Sequence, residues 1–149
     1  MLIILDRITD VRNFGAIARS AECAGAHAII IPSSGAAAVN ADAVKTSAGA
    51  LLKIPVCRVN RLSNTIEYLK ECGLQIIACT GNAVQLYYNV NLTLPLAIIL
   101  GSEETGISRD NLQLADIKVK IPIMGEIESL NVSVAMGIVV YEALRQRNS

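Results

Sequence analysis

Residues 96–108 read Leu96-Ala-Ile-Ile-Leu-Gly-Ser-Glu-Glu-Thr-Gly-Ile-Ser108, an apolar run that flows into a glycine-bounded turn. A continuous apolar run of this length suits a strand buried on both faces, as parallel sheets require. Leu2–Leu5, Ala28–Ile31 and Gln75–Cys79 have the same character. Helical patterns lie between these runs, near 13–25, 40–49, 62–72 and 108–114, and a last one covers about 131 to 147. Strands that alternate with helices predict an α/β fold: a mostly parallel sheet with helices on both faces. Residues 82–94 are less regular and read as a loop with room for a short strand or helix.

Composition narrows the function classes. The 149 residues fit one domain with one sizeable core. Lys and Arg number 13 and so do Asp and Glu, which excludes a generally basic, polyanion-coating protein. With no Trp and one Phe, the chain cannot build an aromatic base-stacking platform. Cys23, Cys57, Cys72 and Cys79 show no zinc spacing and read as buried thiols, so no metal is expected. The single histidine, His27, precedes the Ile29–Ile31 run and reads as a partly buried residue at a strand entry. With one His in that position, Ser-His-Asp and Cys-His nucleophilic catalysis are excluded. No apolar stretch reaches the about 18 residues of a membrane span, and the N-terminus lacks a signal-peptide pattern, so a cytoplasmic protein without a membrane partner is expected.

Three clusters could carry chemistry. In Asp6–Ala21, Asn13 reads as a helix N-cap, and Arg12, Ala16 and Arg19 fall on one helical face with Glu22 a turn further. Arg19 is then either half of a surface pair with Glu22 or a guanidinium aimed at a phosphate, and spacing alone leaves both open. In Leu100–Ser108, Gly101 and Gly106 have P-loop spacing, but Ile107 replaces the Lys, and Glu103 and Glu104 would repel phosphates. An acidic glycine loop after a buried strand suits a ligand with cationic or hydroxyl groups; the bland reading is an ordinary turn with Ser108 as cap. In Ile121–Ala135, Ser129 reads as an N-cap, and Asn131 and Ser133 add polar groups at the start of an apolar helix. That last helix is apolar on nearly every face from Val132 to Val140, more than one small domain needs, and predicts a partner subunit over burial inside the domain.

Together the stretches Asn13-Phe-Gly-Ala-Ile-Ala-Arg19, Leu100-Gly-Ser-Glu-Glu-Thr-Gly106, Ile121-Pro-Ile-Met-Gly125 and Ser129-Leu-Asn-Val-Ser-Val-Ala135 resemble the SpoU-type (TrmH-like) RNA ribose 2′-O-methyltransferases of the SPOUT superfamily. They occur in that family's order and spacing. One departure is Val11, where many relatives carry a proline. The resemblance implies a deep trefoil knot in the C-terminal part, a homodimer with sites near its interface, and S-adenosylmethionine as cofactor. By motif position, it implies that Thr80, Gly81, Leu100, Gly101, Ile121, Met124, Ser129 and Leu130 hold the cofactor. It also implies that residues 1–149 are a methyltransferase domain which, in many relatives, follows an N-terminal RNA-binding extension.

The implied reaction is in-line attack of a ribose 2′-hydroxyl on the methyl carbon of a sulfonium donor, in rRNA or tRNA, with a lean to 23S rRNA guanosine. The protein's part is then orientation, proton removal and electrostatics. Arg19, Asn13, Glu103, Ser129 and Asn131 are the implied catalytic set, and Arg7, Arg12 and Arg19 the RNA contacts. A guanidinium gives up its proton very reluctantly, so Arg19 is assigned to gripping the phosphate, held in place by the other four. A non-catalytic RNA-binding or assembly module is the competing class, against which the filled motif positions argue. A nucleotide-dependent enzyme would need G-x-G-x-x-G or a P-loop Lys, and neither is present. The zero net charge also divides unevenly. Residues 1–61 hold 7 basic and 4 acidic side chains, and residues 62–116 hold 2 and 6. Only a few phosphate contacts, and a correspondingly shallow salt dependence, are expected.

Overall fold

The computed structural model describes all 149 residues. Seven strands form one sheet: β1 (Leu2–Asp6), β2 (Ala28–Pro32), β3 (Val56–Val59), β4 (Gln75–Cys79), β5 (Gln85–Leu86), β6 (Leu96–Gly101) and β7 (Ile117–Lys120). Their spatial order is β3-β2-β1-β6-β4-β7-β5, and every pairing is parallel. Five helices accompany them: α1 (Val11–Cys23), α2 (Ala41–Thr46), α3 (Leu62–Glu71), α4 (Arg109–Leu114) and α5 (Val132–Arg147).

The period of two along the apolar runs builds two cores from the same strands. Ile3 and Leu5 of β1, with Ile98 and Leu100 of β6, join Phe14, Ile17, Met136 and Val139 beneath α1 and α5. Ile4 of β1, with Ala97 and Ile99 of β6, faces the other way, onto Leu62, Ile66 and Leu69 of α3. A strand flanked by helices on both faces has no polar side, which is why the runs are continuous instead of alternating.

Three strands are additional to those the apolar runs predict. β3 is the edge strand, with Cys57 and Arg58 exposed, so its Val-Cys-Arg-Val sequence has no continuous apolar signal. β7 reads Ile-Lys-Val-Lys, and only Val119 is fully buried. β5 is a two-residue strand within the irregular 82–94 segment, followed by a 3-10 turn at Tyr87–Asn89.

Other expectations need correction. Helix α1 starts two residues before Asn13, because Asp10 takes the cap: its carboxylate accepts the Asn13 amide at 2.8 Å. Val11 is therefore the first helical residue, a position that favours proline without requiring it. Cys23, Cys57 and Cys72 are exposed and Cys79 is half-buried, since the first three lie on a helix surface, on the edge strand and at the C-cap of α3. His27 is exposed too, with its Nδ1 2.9 Å from the N-terminal amine.

Candidate functional site

All strands being parallel, their C-terminal ends share one edge, and the glycine loop lies on it. Gly101 ends β6 beside Asp6, the last residue of β1. A Cβ at Gly101 would stand 2.1 Å from Gly106 C and Ile107 N, so only glycine lets the loop fold back on its strand. Gly106 has φ +66°, which also favours glycine. Within the loop, the Gly106 amide donates to Ser102 O at 2.8 Å, and the Ser102 and Thr105 hydroxyls share a 2.8 Å hydrogen bond.

The loop's far end is tied to β1. The buried Asp6 carboxylate accepts the Ser108 amide at 2.7 Å and Asn111 Nδ2 at 2.9 Å. The backbone amide of Ser108 thus finds its partner about a hundred residues away in sequence, while the Ser108 side chain caps nothing, contrary to the expected cap. Arg7 occupies the left-handed region at φ 60° and donates from Nη2 to Gly106 O at 3.1 Å.

The N-termini of α1 and α5 meet the loop. Asn131, not Ser129, caps α5: its Oδ1 accepts the Ser133 amide at 3.0 Å and the Ser133 hydroxyl. The carboxamide then has both N–H groups to spend elsewhere. Nδ2 donates to Asn13 Oδ1 at 2.9 Å and to Glu103 Oε1 at 2.7 Å. Glu103 Oε1 also receives the Val132 amide at 3.2 Å. Asn13, Glu103 and Asn131, from three distant stretches, thus form one hydrogen-bonded cluster.

Two cavities flank this cluster. A cleft of about 400 Å³ is lined by Leu100, Gly101, Ile121 and Leu130, and also by Thr80, Gly81, Ser129 and Glu103. Its wall includes Glu103 and Glu128 but no Lys, Arg or His, so it suits a cationic or neutral ligand better than a polyphosphate. Cys79 lines it as well, and burial pushes its thiol up to about 11, so it remains a neutral thiol. A second cavity of about 340 Å³, lined mostly by polar residues, lies across the loop and includes Arg7, Asp10, Asn13 and Glu104.

Other expected residues lie outside both cavities. Met124 is 95% exposed in the 121–130 segment and lines neither. Arg12 and Arg19 are exposed on α1, also away from both. Arg19 pairs with no carboxylate, Glu22 included, and none of Asn13, Glu103, Ser129 and Asn131 of the same chain holds it. Sequence reasoning had no place for Asp6, Asp10 or Ser102 in the site. Asp10, three residues before Asn13, carried a readable capping signal; the Asp6 contact has no local sign.

The model of the SpoU rRNA Methylase family matches residues 1–141. The chain belongs to that family. Among SpoU relatives, the 23S rRNA (guanosine-2′-O-)-methyltransferase RlmB of Photorhabdus laumondii is 41% identical over 148 residues, which is 99% of this chain and 61% of that protein. RlmB of Escherichia coli K12 is 42% identical over 147 residues, 99% and 60% of the two lengths. The chain therefore spans about three-fifths of the curated relatives it matches. The crystal structure of the SpoU methyltransferase AviRb from Streptomyces viridochromogenes, in complex with AdoMet, superposes with a TM-score of 0.92 at 29% identity, over 99% of this chain and 60% of that one.

Proposed function

We propose that this chain is the methyl-transferring part of an S-adenosylmethionine-dependent RNA ribose 2′-O-methyltransferase, acting on a guanosine of 23S rRNA in the cytoplasm. The observation that carries the reading is the Asn13–Asn131–Glu103 cluster at the junction of the two cavities. The relatives named for guanosine 2′-O-methylation of 23S rRNA support this substrate over tRNA.

The cleft fits the cofactor. Leu100, Ile121 and Leu130 offer apolar wall to an adenine, and Thr80 and Ser129 offer hydroxyls. Glu103 and Glu128 face a ligand that carries positive charge. When bound, the cofactor supplies an electrophilic methyl group, so no covalent enzyme intermediate is needed. Asn131 orients Glu103 through Oε1, which leaves Oε2 free to take the proton of the attacking ribose hydroxyl. Asn13, held by the same carboxamide, keeps its Nδ2 for the acceptor RNA.

Arg19 enters this scheme only through a second copy. It lies six residues beyond Asn13, a rise of about 9 Å along α1, and lines neither cavity of its own chain. A homodimer is supported by the outer face of α5, where Val134 and Tyr141 remain about half exposed while Met136 and Val140 are buried. The knot is inferred from the path of residues 121–131. They run from β7, beyond β4, back to α5, which packs on α1 and β6. The two-fifths of the relatives' length that this chain does not cover would supply further RNA contacts. No helix is long and apolar enough to cross a membrane.

The test is methyl transfer from labelled S-adenosylmethionine to total rRNA and tRNA, with the product mapped, beside calorimetry with S-adenosylhomocysteine. Label on the ribose of an rRNA guanosine is expected. A folded protein that binds S-adenosylhomocysteine but labels no RNA would overturn the reading in favour of a non-catalytic module.

A further inference from the structure

The second cavity is separated from the cofactor cleft only by the glycine loop. Ser102, Glu103, Thr105 and Val132 line both. The adjacent carboxylates divide: Glu103 borders both spaces, whereas Glu104 borders the second cavity alone. Their engagement differs as well. Glu103 holds Asn131 and the Val132 amide, and Asp10 on the facing wall is spent on the α1 cap. Glu104 is exposed and has no hydrogen-bond or ion-pair partner in the chain. It is the one acidic side chain of this wall with both carboxylate oxygens unengaged, whereas Asp10 and Glu103 each have one oxygen committed within the chain. Arg7, the cavity's only cation, is held by Gly106 O at Nη2 and by the Asp6 carboxylate 3.4 Å from Nε, which leaves Nη1 for a phosphate.

We propose that this cavity receives the acceptor nucleoside and that Glu104 reads its base as guanine, by accepting from N1–H and the N2 amino group. The inference rests on the methyltransferase reading above. An ionised carboxylate only accepts hydrogen bonds, and its two oxygens match two adjacent donors. On the Watson–Crick edge, guanine alone presents two such donors side by side. Adenine sets a bare N1 lone pair beside its amino group, cytosine sets N3 there, and uracil flanks its single N–H with carbonyl oxygens. Each of these points a lone pair at Glu104. An unpaired base turned out of its stack exposes the edge such a group can read. Its ribose then lies toward Asn13 and Glu103, which border the same space.

The experiment uses total rRNA with labelled S-adenosylmethionine, digestion to nucleosides and separation of the four 2′-O-methyl products. The wild-type protein is expected to yield 2′-O-methylguanosine only. Glu104→Gln, which turns one of the two acceptors into a donor, is expected to lower kcat/KM about ten- to a hundredfold. The S-adenosylhomocysteine Kd should stay within about twofold, because Glu104 does not border the cleft. An inosine at the mapped position of a synthetic RNA removes the N2 donor without altering the protein. It should slow the wild type and leave the already slow Glu104→Ala unaffected. Wild-type turnover in Glu104→Gln, or full turnover of inosine by the wild type, would overturn the inference. Label on another nucleoside would refute guanine reading and leave methyl transfer standing. Cofactor binding with no labelled RNA would remove both.

Discussion

Gly101→Ala tests whether the glycine loop shapes the cleft. The added Cβ would meet Gly106 C and Ile107 N at 2.1 Å and Gly106 O at 2.3 Å. Ordinary carbon contacts begin near about 3.5 Å, so residues 106–107 must retreat by about 1.4 Å. Gly101 itself is held in register with Asp6 and cannot yield instead. The retreat pulls on the Arg7 bond to Gly106 O and on the Asp6 bond to the Ser108 amide, 3.1 and 2.7 Å long. Overpacking costs about 1–3 kcal/mol, and each strained hydrogen bond adds roughly 1 kcal/mol. A loss of about 3–5 kcal/mol in urea unfolding is expected, with weaker S-adenosylhomocysteine binding by calorimetry. Gly125→Ala is the control, since nothing lies within 4 Å of its Cβ position and its φ is not positive. It should change stability by no more than about 0.5 kcal/mol. If Gly101→Ala matched this control in stability and affinity, the steric argument for the loop would be refuted.

Three further outcomes follow from other parts of the molecule. Mixed dimers that pair one Arg19→Ala chain with one Glu103→Gln chain, isolated by two different tags, should retain about half of wild-type activity if each Arg19 serves its partner's site. If Arg19 served its own chain's site, the same mixed dimer would be inactive. Val134→Lys sets like charges into the exposed α5 stripe, so sedimentation should shift from dimer to monomer with helical circular dichroism preserved; a monomeric wild type would end the dimer reading. Asp116 is pushed up by burial, but the Ile76 amide and Lys70 outweigh that and hold its carboxyl below the usual range. A depressed folded-state value means that its stabilisation is present above the unfolded carboxylate value, near about 3.9, and fades as pH falls through the folded one. Asp116→Asn should therefore destabilise at pH 7, and its difference from wild type should shrink as pH falls below the ordinary carboxylate range; a difference independent of pH would count against the bridge.

Much of the fold was legible because the central strands are buried on both faces. Leu2–Leu5 and Leu96–Leu100 announce themselves as apolar runs, whereas the pairing of Ile3 with Ile98 is visible only in the structure. β3 was hidden by its edge position, where Arg58 meets solvent, although the alternation Ile117-Lys-Val-Lys120 was a readable strand signal for β7. Within the site, Asn13, Glu103 and Asn131 stood out as polar groups at the ends of apolar elements, and the structure brings these three together. Cap assignments failed where two candidates stood close together. Asp10 outcompeted Asn13, and Asn131 outcompeted Ser129, because cap choice depends on where the chain leaves the extended region. No spacing rule could show that Arg19 lines neither cavity, or that Asp6 secures Ser108. Those are consequences of which strands become neighbours.

The strand order carries a consequence for synthesis. β1 pairs with β2, and its other edge waits for β6, whose first residue is Leu96. While the ribosome makes the intervening chain, at about 5–20 residues per second, the Leu2–Asp6 edge stays unpaired for several seconds. An open apolar edge is a template for pairing with another chain. Arrival of β6 closes that edge and, in the same stroke, places Gly101 beside Asp6, so the strand end that carries the glycine loop is set as the β1 edge is covered. Variants that delay β6 docking should then lose soluble yield in cells before they lose activity per folded molecule.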